Sequence, residues 1–463
     1  MAENRKLTVN GMTQGVIWKQ ILLFFLPILG GSFLQQLYNT ADAVIVGKFV
    51  GTAALSAVGG TTGLILNLVI GFFIGFTSGA TVLVSQYFGA GREAQVNRTV
   101  HTAIAVSLIG GAVLTAVGML AAPGLLRILQ TPEDVVANAA PYLRICFGGT
   151  LATLFYNLGS SVLRAVGDSR RPLLVLACCT GANVALDLLF VAALDMGTSG
   201  AALATVLSQL LSAVLVMWMV HKKSAALRID PKKLRLHSDI LRSILRIGLP
   251  TGIQAILYTL SNLTIQRGVN AFGTDTIAAW TVFTKMDAIF WMIMDSFGVA
   301  VTTFIGQNFG AMRMDRVKQG LRQCGVMCLA LAVGLTALIF AFCPLLARLF
   351  SNDAFVVSRA VKIARFQVLF FVTWVTIQVL SSSLRAVGDS FVPMVLISIG
   401  VCGLRMVWVL WIAPHLPRVL EYTICCYQIS WAFTSLLFLA YYFFASPLRR
   451  QILLAEARAG RKF

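Results

Sequence analysis

Long uncharged runs dominate this chain. Segments 99–126, 145–163, 196–221, 323–347 and 422–448 contain no Asp, Glu, Lys or Arg. Each is near or above the ~20 apolar residues that a helix needs to cross a ~30 Å hydrocarbon core. Hydrocarbon offers backbone groups no hydrogen-bond partners, so helices are the expected spanning elements. The ten-residue alternation of a membrane β-barrel is absent. One run is ambiguous: residues 49–91 stay uncharged throughout, about 65 Å as one helix at ~1.5 Å per residue. The pattern predicts a single long helix there, bent at Gly71, Gly75 and Gly79, because two spans would reverse every later loop.

Composition agrees with a lipid solvent. Of 463 residues, 58% are hydrophobic and 12% charged, against about 25% charged in a soluble domain, too few to cover a water-exposed surface. The net charge of +19 would suggest nucleic acid in a soluble protein. Here the basic residues fall in alternate loops, as the positive-inside rule requires. Arg5, Lys6 and Lys19 precede the first span, followed by Arg92 and Arg98, then Arg164, Arg170 and Arg171. A cluster over 222–246 is followed by Arg313, Arg316, Lys318 and Arg322, by Arg385, and by Arg449, Arg450, Arg458, Arg461 and Lys462. Lys48, Arg127, Arg267 and Arg348 are the main exceptions. The pattern predicts an even number of spans and both termini in the cytoplasm, and sets nucleic acid aside. The nine cysteines lie mostly inside apolar runs with no CxxC spacing, so packing is their expected role. No A-x-A-like site precedes the first span, and no cleaved signal peptide is expected.

The chain is duplicated. Residues 160–169 read SSVLRAVGDS and residues 381–390 read SSSLRAVGDS, 221 positions later. The same offset pairs Gln86 with Gln307, Arg92 with Arg313, Arg144 with Arg365 and Pro172 with Pro393. Near the start of each half the offset is 223, pairing Leu26-Pro27 with Leu249-Pro250 and Asn39 with Asn262. Such repeats point to a transporter. An even span count gives the two halves the same orientation. The predicted fold is therefore an all-α integral membrane protein of about twelve transmembrane helices. Its two six-helix lobes are related by a pseudo-two-fold along the membrane normal. Residues 1–222 form the first lobe, 223–238 a cytoplasmic linker and 239–463 the second lobe.

Acidic side chains at mid-membrane cost roughly 2.5 to 3.5 kcal/mol on insertion scales and mark functional candidates. Gln35, Tyr38 and Asp42 are spaced by three and four late in the first span, which puts them on one helical face. In the fifth span Asn183 precedes Asp187 by one turn, and Thr205 and Gln209 make a similar face on the sixth. Convergence of these faces would place two carboxylates in one low-dielectric pocket. Retention of a proton on at least one of them then suits a proton carrier. Helix-to-helix hydrogen bonding alone would also explain Asn183 or Gln209. The repeat mates of Asp42, Asp187 and Asn183 are Ile265, Trp408 and Leu404, while Asp287 and Asp295 of the eighth span have apolar counterparts near Leu66 and Ile74. Ion coupling is therefore expected in the first lobe. A contribution to cation recognition is expected from the second, with Asp287 alternatively a partner of Lys285 or Arg405. Met286, Met292 and Met294 supply either an adaptable apolar wall or ordinary packing. The duplicated LRAVGD places Arg164, Gly167 and Asp168, and Arg385, Gly388 and Asp389, at span ends. Turn formation and helix capping explain them, with gating as the other reading.

At these residues the chain resembles the multidrug and toxic compound extrusion (MATE) family over nearly its whole length, most closely the prokaryotic DinF-like branch. The resemblance rests on two six-span lobes, Pro27 and Pro250 in the first and seventh spans, and L-R-A-x-G-D after the fourth and tenth. It implies that Tyr38, Asp42, Asn157, Asn183, Asp187 and Thr205 form the proton site; the repeat mate of Asn157 is Gln378. The NorM-like branch instead uses acidic residues in spans seven and ten, where this chain has Gln254, Tyr258, Thr259 and 373–378. That departure argues against a second-lobe sodium site and leaves sodium at Asp42 and Asp187 open. The resemblance implies export of small organic cations, in exchange for protons and without other cofactor or metal. The cavity would lie between rocking lobes, with Gln35, Gln209, Gln254, Met286, Asp287, Asp295 and Gln378 as candidate lining. A monomer surrounded by lipid in a bacterial cytoplasmic membrane is expected. The rivals are sodium-coupled export and a lipid-linked oligosaccharide flippase, which Arg405 and Lys285 keep open. No catalytic triad, HExxH or phosphate loop is present, so an enzyme is not expected.

Overall fold

The computed structural model describes residues 12–51, 54, 58, 61–129 and 133–460. Arg5, Lys6, Arg461 and Lys462 of the charge pattern lie outside the described residues. The first half comprises α1 (Ile17–Phe49), α2 (Thr61–Gly89), α3 (Glu93–Ile128), α4 (Glu133–Gly148), α5 (Thr150–Ala165), α6 (Arg170–Asp187) and α7 (Gly197–Lys223). A π-helical stretch, Leu188–Ala193, continues α6. The second half comprises α8 (Ser238–Asn270), α9 (Thr274–Gly310), α10 (Met314–Arg348), α11 (Ala354–Val368), α12 (Trp374–Ala386) and α13 (Phe391–Ile397). Two π-helical stretches, Ser398–Gly403 and Trp408–Ile412, flank the short α14 (Leu404–Val407). The chain closes with α15 (Leu420–Ile424), α16 (Cys426–Phe444) and α17 (Pro447–Gly460).

Among the described residues eleven segments are long and apolar enough to cross a membrane. The fourth span, α4 with α5, is the repeat mate of Ala354–Ala386, which is one of the eleven. Helix ends recur at the offset of the repeat. α2 and α9 end at Gly89 and Gly310, α3 and α10 begin at Glu93 and Met314, and α5 and α12 end at Ala165 and Ala386. Large apolar side chains point outward along the spans, including Val113, Val117 and Leu120 of α3 and Leu338, Phe342 and Leu345 of α10. That exposure is what lipid-facing helices require. The chain is an all-helical, multi-pass membrane protein.

Contacts divide the chain into two compact units. Leu26–Gly252 belong to the first; Met12–Phe25 and Ile253–Phe463 make up the second. The first and last portions of α1 thus belong to different units, as do those of α8, and each helix carries a proline near the change, Pro27 or Pro250.

In the first unit Ala80, Leu83 and Val84 of α2 pack with Val96, Val100 and Ile104 of α3, Leu158 and Val162 of α5, and Ile240, Ile244 and Ile247 of α8. The expectation for 49–91 is corrected in one respect. One span is present, but helix α1 ends at Phe49 and Gly51 takes φ +110°, before helical Ala54 and Val58 and the helix α2 over Thr61–Gly89. Two of the three glycines, Gly75 and Gly79, also serve close packing. A Cβ on Gly75 would stand 2.4 Å from the backbone N of Gly252, and one on Gly79 2.4 Å from the carbonyl O of Ile244. Small residues four apart let helix backbones approach closely where no hydrophobic drive exists between helices.

Residues 223–238, expected as a linker, pack within the first unit. Asn97 Nδ2 donates to the carbonyls of Ala226 and Arg228, each at 3.1 Å, and Arg98 meets Asp239 at 3.3 Å. The backbone N–H of Asp230 donates to His101 Nε2 at 3.0 Å and that of Ile229 to His221 Nδ1 at 3.2 Å. In the second unit the segment ahead of α1 is held by the start of α10 and the end of α9. Met12 N–H donates to Gln307 Oε1 (3.0 Å), and Asn308 Nδ2 to Met12 O (3.1 Å). Arg313 and Arg316 donate to the carbonyls of Thr13 and Gly15 at 2.8 and 2.9 Å. Each unit therefore grips, by the N-terminal end of a repeat-related helix (α3 or α10), the segment that leads into a first helix of a repeat.

The duplicated LRAVGD closes α5 and α12 in the same way. Gly167 and Gly388 take φ of 87° and 91°, and the N–H groups of Asp168 and Asp389 return to the carbonyls of Leu163 and Leu384. This is the six-to-one bond of a glycine-terminated helix end. Arg164 and Asp168 do not pair with each other: Asp168 meets Lys223 at 2.5 Å and Arg171 at 3.5 Å, while Arg164 donates to Ser161 Oγ. In the second unit Asp389 accepts from Tyr441 Oη at 2.6 Å, and Arg385 donates to Ser381 Oγ.

Gly75→Val or Gly252→Val is expected to destabilise the first unit by about 1–3 kcal/mol through overpacking, read as a lower thermal midpoint of detergent-solubilised protein. Gly71→Val should leave the midpoint near wild type, because a Cβ there meets nothing within 4 Å. Asn308→Ala, which removes the contacts to Met12 and Arg316, should cost about 1–3 kcal/mol by leaving buried partners unmatched; an unchanged midpoint would count against the clasp.

Candidate functional site

The acidic pair lies inside the first unit. α1 supplies Tyr38 and Asp42, α6 supplies Asn183 and Asp187 at its end, and α7 supplies Thr205 and Gln209. Tyr38 and Asp42 are 7% and 8% exposed, and Asn183 and Asp187 are both at 0%. The carboxyl groups of Asp42 and Asp187 face one another within interaction range, and the Tyr38 hydroxyl faces Thr205 and Ser208. None of these approaches reaches hydrogen-bond geometry. Tyr38 Oη, Asp42 Oδ1, both side-chain polar atoms of Asn183, both of Asp187, Thr205 Oγ1 and Gln209 Oε1 are buried without a hydrogen-bond partner among the described residues. Buried polar atoms in folded proteins are nearly always satisfied. So many orphans in one place are chemically suited to exchanging a proton or a small cation. The π-helical stretch starting at Leu188 follows Asp187 directly, and such local widening of a helix is frequent at functional positions.

Residues outside the expected set join this cluster. Tyr142 and Cys146 of α4, four apart and so on one face, stand within electrostatic reach of Asp42. Ser208, three residues after Thr205, faces Tyr38. Their spacing was available in the sequence, but nothing local said that α4 would turn that face toward α1.

Asn157 and Gln35 lie elsewhere in the same unit. They line a cavity of about 260 Å³ with Pro27, Ser160, Arg164 and Pro172, and Asn157 Nδ2 donates to Thr153 O at 2.9 Å. Neither Asp42 nor Asp187 lines that cavity.

The second-unit candidates are scattered by comparison. Asp287 Oδ2 accepts from Trp291 Nε1 at 2.7 Å rather than pairing with Lys285 or Arg405. Asp295 is exposed and Gln254 half-buried. Met286, 1% exposed, packs in the core with Val269, Trp280 and Phe283. Gln378 braces α12 against α9, accepting from Trp374 Nε1 and donating to Met294 O, each at 2.9 Å. Among the described residues no group of three or more His, Cys, Asp or Glu is placed to hold a metal ion.

The probable multidrug resistance protein YoeA of Bacillus subtilis is 29% identical over 398 residues, 84% of this chain and 86% of its own length. The probable multidrug resistance protein NorM of Thermotoga maritima is 25% identical, covering 84% of each chain. Among solved structures, a MATE protein in complex with MaL6 superposes with a TM-score of 0.86 at 21% identity, over 96% of this chain and 98% of that one. A MOP-superfamily transporter from Pyrococcus furiosus, with a binding pocket of reverse polarity, does so with 0.86 at 22%, over 95% and 97%. These likenesses at low identity establish a shared fold. The family model described as MatE matches residues 27–189 and again 250–411, once in each repeat, and the chain belongs to the MatE family.

Proposed function

We propose that this protein exports organic cations and similar drugs in exchange for protons, with Asp42 and Asp187 as the coupling pair. The observation that carries the reading is the set of orphaned polar atoms around two facing carboxyl groups in the first unit. The names of the relatives, multidrug resistance proteins, supply the substrate class. Two like charges in a low-dielectric site repel strongly, so the pair holds at least one proton readily and releases it when a positive charge approaches. Drug and proton therefore weaken one another's binding by the same factor, which permits exchange without contact between them. Tyr38, Asn183, Thr205 and Gln209 orient the pair and offer alternative hydrogen bonds as its charge changes. Gln35 and Asn157 border the neighbouring cavity, open to a polar ligand.

Alternating access of the two repeats completes the cycle, in a bacterial cytoplasmic membrane with both termini in the cytoplasm. The alternation of basic loops supports this orientation. The protein works as a monomer, since each repeat supplies its own polar interior. It is a transporter and not an enzyme.

Everted vesicles given a fluorescent organic cation and either a proton or a sodium gradient test the assignment. Proton-driven uptake is expected in wild type, reduced at least about tenfold in Asp42→Asn, a loss of roughly 1.4 kcal/mol or more. Uptake driven by sodium alone would move the coupling ion to sodium; no uptake of several cations would favour the flippase.

At equilibrium, dye affinity should rise with pH, by up to about tenfold per pH unit for each proton displaced. The slope should flatten in Asp187→Asn, and an unchanged slope would remove Asp187 from the coupling pair. Because its carboxylate oxygens are buried without partners, Asp187→Asn should hold or raise the thermal midpoint while transport falls, as expected where a site trades stability for function. A large fall would instead mark a structural role.

A further inference from the structure

A buried cation occupies the second unit within one helical turn of Trp408, the repeat position of the first unit's Asp187. Arg405, on α14 between two π-helical stretches, is 0% exposed. By the offset of the repeat its mate is Val184, between Asn183 and Asp187. Its Nε donates to Ser430 Oγ at 3.0 Å, and the guanidinium carbon stands 4.2 Å from the ring centre of Tyr427 and 5.6 Å from those of Tyr258 and Trp431. Nη1 and Nη2 have no hydrogen-bond partner among the described residues, and Trp431 Nε1 and Asp287 Oδ1 are buried in the same condition. Asp287 lies within electrostatic range, but its other oxygen is held by Trp291. Aromatic faces soften the burial of a guanidinium, yet its two terminal nitrogens form a fork shaped for a carboxylate.

We propose that Arg405 is an acid-recognition site: its terminal nitrogens bind the carboxylate of zwitterionic or acidic aromatic substrates, whose rings stack on Tyr427, Tyr258 and Trp431. The inference rests on the export reading and adds to it a substrate class selected in the second unit. The fixed charge of Arg405 discriminates for an acid group.

The test uses the full chain in nanodiscs and two forms of one dye, followed by fluorescence polarisation. Rhodamine B joins a delocalised cation to a free carboxylate; its ethyl ester keeps the cation and lacks the acid. Wild type is expected to bind the acid more tightly than the ester. Arg405→Gln should weaken acid binding at least about tenfold, the scale of a lost charge-assisted pair, with the ester changed less than about twofold. Arg405→Lys keeps the charge but loses the fork and should give an intermediate ratio; it carries the test if Arg405→Gln fails to fold. Equal binding of acid and ester by wild type, or equal weakening of both by the substitutions, overturns the site while leaving cation export standing. Failure of wild type to bind either form counts against the export reading and this inference together.

Discussion

A helix in hydrocarbon must satisfy its own backbone, and any polar side chain it carries must find a partner inside the protein. That single constraint accounts for the long uninterrupted elements, for the apolar faces of α3 and α10 that point outward, and for the concentration of polar contacts at span ends. Lys223 with Asp168, Asn97 with the carbonyls of Ala226 and Arg228, and Arg316 with Gly15 all lie near such ends. Deeper in the spans, most hydroxyls turn back on their own helix, as Thr81, Thr259 and Ser383 do. Against that economy the unsatisfied cluster around Asp42 and Asp187 is an expensive arrangement, and its cost is the reason to assign it a function.

Duplication preserved the packing and released the polar chemistry. Helix ends recur at one offset, the LRAVGD turn is made with the same backbone bonds twice, and a clasped lead-in segment appears in each unit. These features depend on backbone geometry and on small or apolar contacts spread over many residues, so both copies needed them. A handful of interior polar positions contribute little to that packing. They diverged until one copy held Asn183 and Asp187 and the other Arg405. The π-helical stretches beginning at Leu188 and Trp408 occupy matching places, so the local backbone was kept even where the charge was reversed.

Much of the fold was legible because it is written locally. Uncharged length gives spans. The self-match gives the repeat, and i, i+4 spacing puts Tyr38 with Asp42 and Asn183 with Asp187 on common faces. The single helix expected over 49–91 is interrupted after Phe49 at Gly51, and glycine in an apolar run reads equally as a bend or as a place for close approach. Only the partner helix, with Gly248 and Gly252, distinguishes the two. Likewise Arg164 and Asp168 had the spacing of a pair, yet Lys223 approaches from another helix and takes the carboxylate.

The sequence by itself thus determined the number and kind of elements, the duplication and the confinement of the acidic pair to one repeat, since each follows from nearest neighbours along a chain in lipid. The tertiary structure decided which faces meet. It turned Asp42 toward Asp187, brought Tyr142 and Cys146 of α4 beside them, left Asn157 with Gln35 at another cavity, and closed an aromatic box around Arg405. Those choices rest on how whole helices rotate and pack against one another, a property summed over residues far apart in the chain that no local pattern contains.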